Sequence, residues 1–403
     1  MMIRGRDIVV IGIQAWDIEI GSNCKNIAEE MARFNRVLYV NSPLDRNTKK
    51  NAKTDERVAK RLRISQGLET DIEEIKPNMW NLYPKHQVES INFIPDGFLY
   101  DFFNKQRNRT LAKDIQSAID RLNFKDVILF NDSSMFLGLY LKEFLKPKTY
   151  VYYMRDFLTK NPYWRTHGLR LEPKLIAKAD VVVNNSTLYT EYGLQFNNHS
   201  YMVGQGCDVS LFNDDNHAIP VAEDLKTIPK PIIGYVGFLS GRRLDIQLLV
   251  YMAKIKKEWQ IVLVGPEDDQ FKASELHQIA NVHFLGSRDS AVLPNYIKGF
   301  DVCMNPQLIN EATIGNYPRK IDEYLAMGKP TAATATKAMD YFKETTYLAT
   351  TPDEWISVVE KALSENSEEL QKQRKACGLS HSWENNVNEI YKYIVAFEKG
   401  WKE

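Results

Sequence analysis

The segment from Asn316 to Pro330, NYPRKIDEYLAMGKP, combines a helix start with a cation and a carboxylate. Asn316 is a good capping residue, and Pro318 suits the first turn of a helix. The N-terminus of such a helix attracts anions, and Lys320 adds a full charge suited to a diphosphate. Glu323 lies on the same face, where its carboxylate can accept hydrogen bonds from the hydroxyls of a ribose. The segment therefore predicts a nucleoside diphosphate site.

The alternative interpretation is an ordinary amphipathic helix on which Lys320 and Glu323 form a solvated ion pair. The surrounding strands favour the first interpretation. Apolar runs end at Gly265 and at Asn305, and the carboxyl ends of parallel strands meet at one edge of a sheet. Open α/β sheets bind their ligands at that edge, so several signals converge there.

The segment from Gly237 to Arg243, GFLSGRR, follows another predicted strand. Glycines allow a close approach of the backbone, and guanidinium groups bind phosphate oxygens in a bidentate manner. We expect Arg242 or Arg243 to stabilise the charge of a departing diphosphate. In the alternative interpretation both are exposed loop arginines.

Short apolar runs alternate with segments of helical period along the whole chain, which predicts parallel sheets covered by helices on both faces. A polar stretch over residues 213–230 interrupts the pattern. We therefore predict two doubly wound α/β domains, residues 1–215 and residues 230–380. Residues 381–403 are predicted to form a helix that crosses back to the first domain. The strands predicted for the first domain are Asp7–Gly12, Val37–Ser42, Met79–Tyr83, Val127–Asn131, Tyr150–Met154, Val181–Asn185 and Tyr201–Gly204.

Composition excludes several classes of protein. The 52 basic and 52 acidic residues cancel, which argues against a nucleic-acid enzyme. The cysteines form no Cys-x-x-Cys pair, which is typical of buried thiols in a reducing compartment. We expect a cytoplasmic location, at the inner face of the membrane if the protein binds lipid, since no apolar run is long enough to cross a bilayer. The histidines lack metal-ligand spacing, so neither a metal nor a cofactor is expected.

These segments together resemble the two-domain GT-B glycosyltransferases, in the branch of the retaining family 4 (group 1) enzymes that build teichuronic-acid-like and capsular polysaccharides. The resemblance rests on GQGCDVSLFN, GYVGFLSGRRLD, NVHFLGSRDSAVLPNYIKGFDVCMNP and PRKIDEYLAMGKPTAAT. It implies two Rossmann-like domains facing a cleft, with Lys320 near the donor phosphates, Glu323 on the ribose and the Gly237 loop at the diphosphate.

One position departs from the family pattern. Many members carry a glutamate where this chain has Gly315. Either Glu311 substitutes for it, or backbone amides from Thr313 to Asn316 hold the donor sugar. The identity of that sugar stays open.

The first domain offers candidate acceptor-side residues at its strand ends. Trp16, Asp17 and Gly21 follow the first strand, although tryptophan more commonly packs in a core. Asp132 ends another strand. Asp156 follows a third, where it either contacts the transferred sugar or acts as a general base; pairing with Arg155 is the alternative.

Two segments of the first domain are candidates for contact with an anionic membrane. Eight Lys or Arg residues lie between Arg46 and Arg63 against three acids counted from Asp45. The second candidate is the aromatic-rich segment from Ile91 to Arg109, whose Phe93, Phe98, Phe102 and Phe103 either touch a lipid-linked acceptor or belong to the core. The alternative for the basic segment is a solvated helix.

The expected function is transfer of a hexose from UDP or GDP to a glycan or lipid-linked glycan. The nucleotide sugar is then a substrate, and retention of configuration is implied by the resemblance alone. Two other functions stay open. A nucleotide-sugar epimerase would act without an acceptor, and a non-catalytic subunit would bind a partner transferase without turning over a donor.

Overall fold

The computed structural model describes residues 2–18, 21–214, 218–310 and 313–400. The chain divides into two compact units. Unit 1 comprises Met1–Val203 and Trp383–Glu403, and unit 2 comprises Gly204–Ser382. Each unit is a sheet covered by helices, so the prediction of an α/β fold with two parallel-sheet domains is confirmed.

Unit 1 is built on a sheet with the strand order β3-β4-β2-β1-β5-β6-β7-β8 among the described residues. Every neighbouring pair is parallel except β3 with β4. The strands are β1 (Asp7–Gly12), β2 (Arg36–Val40), β3 (Ile72–Lys76), β4 (Met79–Leu82), β5 (Ile128–Asp132), β6 (Thr149–Met154), β7 (Val181–Asn184) and β8 (Ser200–Met202). The helices are α1 (Asn23–Ala32), α2 (Arg46–Lys49), α3 (Glu56–Ser65), α4 (Phe98–Arg121), α5 (Leu141–Leu145), α6 (Pro162–Lys178) and α7 (Thr187–Leu194).

Both faces of the unit 1 sheet are buried, which explains why its central strands are apolar at every position rather than at alternate positions. In β1, Val9 and Ile11 belong to one core, and Ile8 and Val10 belong to the other. The first core is covered by α4 and α6, and the second by α1 and the C-terminal helix.

Unit 2 contains an all-parallel sheet with the strand order β11-β10-β9-β12-β13-β14 among its described residues. The strands are β9 (Ile232–Val236), β10 (Gln260–Val264), β11 (Val282–Gly286), β12 (Val302–Asn305), β13 (Thr331–Thr334) and β14 (Tyr347–Ala349). The helices are α8 (Ile246–Ile255), α9 (Asp269–Lys272), α10 (Leu293–Gly299), α11 (Arg319–Ala326), α12 (Pro352–Ser364) and α13 (Glu368–Ser380).

The last helix, α14 (Trp383–Glu398), packs in unit 1 although it follows unit 2 in sequence. Its buried face enters the core that covers β1 with Val387, Ile390 and Ile394. Its last residue, Glu398, accepts two hydrogen bonds from the Arg6 guanidinium at 2.9 and 3.0 Å.

The boundary between the units differs from the boundary expected at residues 213–230. It falls earlier, after Val203, because the following segment is bonded to unit 2. The Cys207 amide donates to the carbonyl of His381 at 2.8 Å, and the Ala222 amide donates to the carbonyl of Asn295 at 3.1 Å. Leu225 is buried against Gly299. The polar stretch is therefore part of unit 2 rather than a linker.

The sequence pattern does not predict some elements, among them β3, β14 and α13. β3 reads IEEIK, and its charged residues are tolerated because it is an antiparallel edge strand. β14 has only three residues, which is too short for a recognisable period. α13 is mostly polar and exposed, so its apolar stripe is weak.

Glu172, a buried carboxyl of unit 1, makes the stability of the fold depend on pH. Tyr152 donates a hydrogen bond of 2.8 Å to Glu172, whose second oxygen has no partner among the described residues. Burial raises the pKa of Glu172 from 4.5 to about 7. The native protein then holds a proton that the unfolded chain releases, so the free energy of unfolding falls as pH rises through this interval.

Glu172→Gln keeps the hydrogen-bond acceptor for Tyr152 and removes the ionisation. We predict that its free energy of unfolding exceeds that of the wild type by up to about 3 kcal/mol at the upper end of this pH interval. The measurement is urea unfolding of both proteins between pH 4.5 and 7. Glu74→Gln, at an exposed carboxylate of the same unit, is the control. Equal pH dependence of Glu172→Gln and the wild type would contradict the prediction.

Candidate functional site

Three neighbouring strands of unit 2 end in glycines with positive φ angles. The angles are +140° at Gly237 after β9, +150° at Gly265 after β10 and +70° at Gly286 at the end of β11. The Gly237 amide donates to the carbonyl of Val264, and the Gly265 amide donates to that of Gly286, both at 2.9 Å. A Cβ atom on Gly265 would lie 1.9 Å from the carbonyl oxygen of Gly237. Glycine is therefore required where these backbones meet.

Helix α11 is attached directly to the end of β9. The amide of Val236 donates to the hydroxyl of Tyr324 at 3.0 Å, and Ile321 and Leu325 are buried in the core beneath the sheet. Gly328, at φ +70°, ends the helix as predicted, because its amide and that of Lys329 bond back to carbonyls of the last turn. The position of α11 is thus fixed at both ends.

The predicted start of α11 is wrong by a few residues. Asn316 does not cap the helix, and Pro318 occupies the cap position without a side-chain hydrogen bond. Fewer backbone amides are free at the start of the helix than expected. The Arg319 amide donates to the carbonyl of Tyr317 at 3.2 Å, and the Ile321 amide donates to the carbonyl of Pro318 at 2.8 Å. The positive potential at this end therefore depends mainly on the side chains of Arg319 and Lys320 in the first turn.

Lys320 extends from the first turn of α11 to the glycine at the end of β9. Its Nζ atom lies 4.8 Å from the ring centroid of Tyr235 and 3.4 Å from the position that a Cβ atom on Gly237 would occupy. Within the described part of the chain this ammonium forms no salt bridge. The structure thus brings together Lys320 and the Gly237 loop, two features that the sequence placed 83 residues apart (320 − 237).

Glu323 lies one turn further along α11 and is half-buried. Burial raises the pKa of its carboxyl, while Arg319 and Lys320 act in the opposite direction. No described residue forms a hydrogen bond or salt bridge with this carboxylate. It does not pair with Lys320, so the solvated ion pair of the alternative interpretation is not formed.

Asp322, which the sequence analysis missed, is fully buried on the opposite face of α11. Its Oδ1 atom lies 2.7 Å from Nδ1 of His381 and accepts a hydrogen bond of 3.0 Å from the Tyr317 hydroxyl. Burial raises the pKa of Asp322, and the contact with His381 opposes that rise. An aspartate on the apolar face of a helix was the available signal, because such a group needs a buried partner. This cluster ties α11 to the end of unit 2.

The arginine loop after β9 is bonded to the loop after β12. The Leu308 amide donates to the carbonyl of Arg243 at 2.8 Å, and the Asn310 side chain donates to that of Arg242 at 3.0 Å. Both guanidinium groups are exposed and form no salt bridge with any residue that the structure describes. They are therefore available to a ligand anion.

The loop that follows β12 does not offer the amides expected for a donor sugar. The Thr313 amide donates a hydrogen bond to the side-chain oxygen of Asn310 at 3.1 Å, and the Asn316 amide donates one to the carbonyl of Thr313 at 3.0 Å. Asn305 and Gly315 are buried in the same region. Glu311 lies outside the described residues. The hypothesis that these amides hold the sugar is corrected in part, because Thr313 and Asn316 use theirs within the loop.

In unit 1, the segment after β1 is held by packing and by an ion pair. Trp16 packs edge-to-face on Tyr39 at 5.3 Å, which is the packing role named as its alternative. Asp17 binds Arg61 of α3 at 2.5 Å. Gly21 is exposed, with open space around it. Of the three, only Gly21 is free of a described side-chain contact.

Asp132 and Asp156 share one arginine at the carboxyl ends of β5 and β6. Arg155 donates to the fully buried Asp132 at 2.9 Å and to Asp156 at 2.9 Å. The carboxylate of Asp156 is 44% exposed, so it pairs with Arg155, as its alternative expected, and still faces solvent. Asp132 is a buried anchor, whereas Asp156 is accessible.

Among the described residues, no group of three or more His, Cys, Asp or Glu side chains is arranged to hold a metal ion. No described helix is both long and apolar enough to span a bilayer. The four cysteines are free thiols.

A family model matches the central part of unit 2. Residues 230–365 match the family model described as "Glycosyl transferases group 1". Over 200 residues the chain is 26% identical to a Bacillus subtilis (strain 168) protein named as a teichuronic acid biosynthesis glycosyltransferase, TuaH. That match covers 48% of this chain and spans half of the length of the curated relative.

Solved structures share the fold over nearly the whole chain. Sucrose-phosphate synthase from Thermosynechococcus elongatus is 17% identical, with a TM-score of 0.61 over 97% of this chain and 99% of that one. Anabaena Alr3699/HepE, in complex with UDP, is 16% identical, with a TM-score of 0.64 over 97% and 100%. The resemblance stated from the sequence is confirmed: the chain has the GT-B fold and carries a group 1 glycosyltransferase domain.

We predict that Gly265→Ala lowers the free energy of unfolding by about 2 kcal/mol more than Gly286→Ala does. Both glycines have positive φ angles, but a Cβ atom on Gly286 would meet nothing closer than 3.9 Å. The comparison therefore measures the clash with Gly237 together with the φ angle of +150° at Gly265, which is harder for a residue with a side chain to adopt than +70°. Urea unfolding of the two variants is the measurement, and equal losses would contradict the close approach.

Proposed function

We propose that this chain, a GT-B-fold protein with a group 1 glycosyltransferase domain, transfers a hexose from a nucleoside diphosphate sugar to a glycan or lipid-linked glycan. One observation carries the proposal. The Lys320 ammonium lies beside Gly237 at the strand ends of unit 2, and the carboxylate of Glu323 lies one turn away without a described partner. A cation and a hydrogen-bond acceptor at this spacing suit a diphosphate and a ribose.

In the proposed reaction, the bond between the anomeric carbon and the diphosphate oxygen breaks, and a bond to an acceptor hydroxyl oxygen forms. Negative charge develops on the leaving diphosphate. Lys320 and one guanidinium of Arg242 or Arg243 stabilise that charge, so we propose chemistry without a metal ion. The acceptor hydroxyl loses its proton, and Asp156 in unit 1 is the proposed polar contact or general base because its carboxylate is accessible.

UDP is the favoured donor nucleotide, and GDP is the alternative. Two solved structures of Anabaena Alr3699/HepE carry UDP or UDP-glucose, which supports this choice. The Bacillus subtilis relative is named for teichuronic acid biosynthesis, which supports a polysaccharide acceptor. We propose retention of configuration on the strength of the family resemblance.

We predict that UDP raises the melting temperature of the wild type, because a ligand that binds only the folded state stabilises it. Lys320→Ala and Glu323→Ala should each weaken UDP binding by about tenfold or more, since each removes a charge-assisted contact. Lys361→Ala and Glu365→Ala, at an exposed pair 4.0 Å apart at the end of α12, are the matched controls. Full affinity in Lys320→Ala and Glu323→Ala would refute the donor site.

We predict that the double variant Arg242→Ala/Arg243→Ala lowers kcat for release of UDP from the preferred UDP-sugar by about 100-fold or more. Lys257→Ala, at an exposed lysine of the same unit, should keep the wild-type rate. Nucleotide release in the presence of acceptor is the measurement. UDP binding without turnover of any donor would assign a non-catalytic subunit. Isomerisation of the sugar without an acceptor would assign an epimerase.

A further inference from the structure

A group of large apolar side chains lies on the surface of unit 1, where the sequence pattern allowed a core. We call it the aromatic face. Its members are between 44% and 83% exposed. They are Phe93, Phe98, Leu99, Phe102, Phe103, Tyr163 and Leu169. Isolated exposed apolar residues are ordinary, but a group of seven marks an interaction surface.

Hydrogen bonds join the three segments that carry the aromatic face. Arg170 of α6 donates to Asp96 at 2.6 Å and to Asp101 of α4 at 2.8 Å. The Asn92 side chain donates to the carbonyl of Tyr163 at 2.9 Å. The start of α4, the start of α6 and the turn before α4 therefore form one continuous surface.

The fold does not need these side chains. The inner face of α4 packs on the sheet through Tyr100, Leu111 and Ile115, which are buried in the core. Phe98 and Phe102 stand on the outer face, one helical turn apart. Their hydrophobic character is therefore not explained by packing within the chain.

The charges around the aromatic face are positive. Its acids, Asp96 and Asp101, are both paired with Arg170, and Lys174 lies 3.6 Å from Asp101, so these charges cancel. The outer stripe of α4 continues from Phe102 to Arg109 and Lys113, which are exposed. Arg165 is exposed on α6. None of these three cations forms a salt bridge with a residue that the structure describes.

A second group of exposed cations lies in the first part of the predicted basic segment. The Val88 amide donates to the carbonyl of Leu44 at 2.9 Å, so the start of α2 is tied to the segment that leads into Phe93. Beyond it, Lys49, Lys50 and Lys53 are exposed. The rest of the predicted basic segment does not contribute. In α3, the four basic residues Arg57, Lys60, Arg61 and Arg63 are all paired with carboxylates.

We propose that the aromatic face docks on an anionic phospholipid bilayer. The phenylalanine side chains insert among the acyl chains, and Arg109, Lys113 and Arg165 bind headgroup phosphates. An apolar face with a cationic rim is the combination that holds a helix at such an interface. A second copy of the chain fits less well, because two such faces in a symmetric dimer would bring their unpaired cations together. The docking requires no nucleotide and stands independently of the proposed function.

The test is sedimentation of the full chain with vesicles. We expect binding to vesicles of equal phosphatidylcholine and phosphatidylglycerol, and weaker binding to phosphatidylcholine alone. Phe98→Ser/Phe102→Ser should reduce partitioning by about tenfold or more, because two large apolar side chains no longer insert. Arg109→Glu/Lys113→Glu should reduce it by about fivefold or more per residue, with the remaining binding sensitive to salt.

Matched controls separate docking from general surface effects. Leu68→Ser/Leu194→Ser removes exposed apolar side chains elsewhere in unit 1, and Lys257→Glu/Lys272→Glu removes exposed cations of unit 2. Both should bind as the wild type does, and all variants should keep its melting temperature. A wild type that stays unbound to anionic vesicles overturns the proposal. So does self-association that is lost in Phe98→Ser/Phe102→Ser, because the face would then belong to a contact between copies.

Discussion

The backbone contact between Gly237 and Gly265 is the constraint on which the candidate site depends. The carbonyl of one occupies the space that a side chain on the other would need. Because the loops after β9 and β10 can meet there without side chains, the strand ends stay open to a ligand. Lys320 lies over the same point, where a side chain on Gly237 would displace it. The lack of side chains at Gly237 and Gly265 thus allows both the backbone contact at the base of the site and the position of Lys320 above it.

Neighbouring residues of helix α11 have different roles because they lie on different faces of the helix. Asp322 faces the core and is bound by His381 and Tyr317, so its charge serves the attachment of the helix. Glu323 and Lys320 face away from that cluster and keep their hydrogen-bonding capacity. For Asp322, hydrogen-bond partners within the protein offset the cost of burying a carboxylate. For Glu323, a bound ligand can supply such partners.

The sequence predicted most strands of the fold because their apolar runs are continuous and their ends carry glycine or asparagine. It also identified the residues of α11 that meet the Gly237 loop. It could not predict hydrogen bonds that depend on loop conformation, such as those that occupy the amides of Thr313 and Asn316. Nor could it decide whether Phe98 and Phe102 are core or surface. A helix with apolar residues on both sides of its first turns has no distinguishing period.

Because α14 belongs to unit 1 but follows unit 2 in the sequence, the two units are completed at different times during synthesis. Residues 204–382 lie between the two parts of unit 1, so unit 2 leaves the ribosome whole while unit 1 still lacks one of its covering helices. Until Ile390 and Ile394 arrive, the apolar groove beneath α14 is open to water and to other chains. The first of the two units to be started is therefore the last to be completed, and its apolar core is exposed for longer during synthesis.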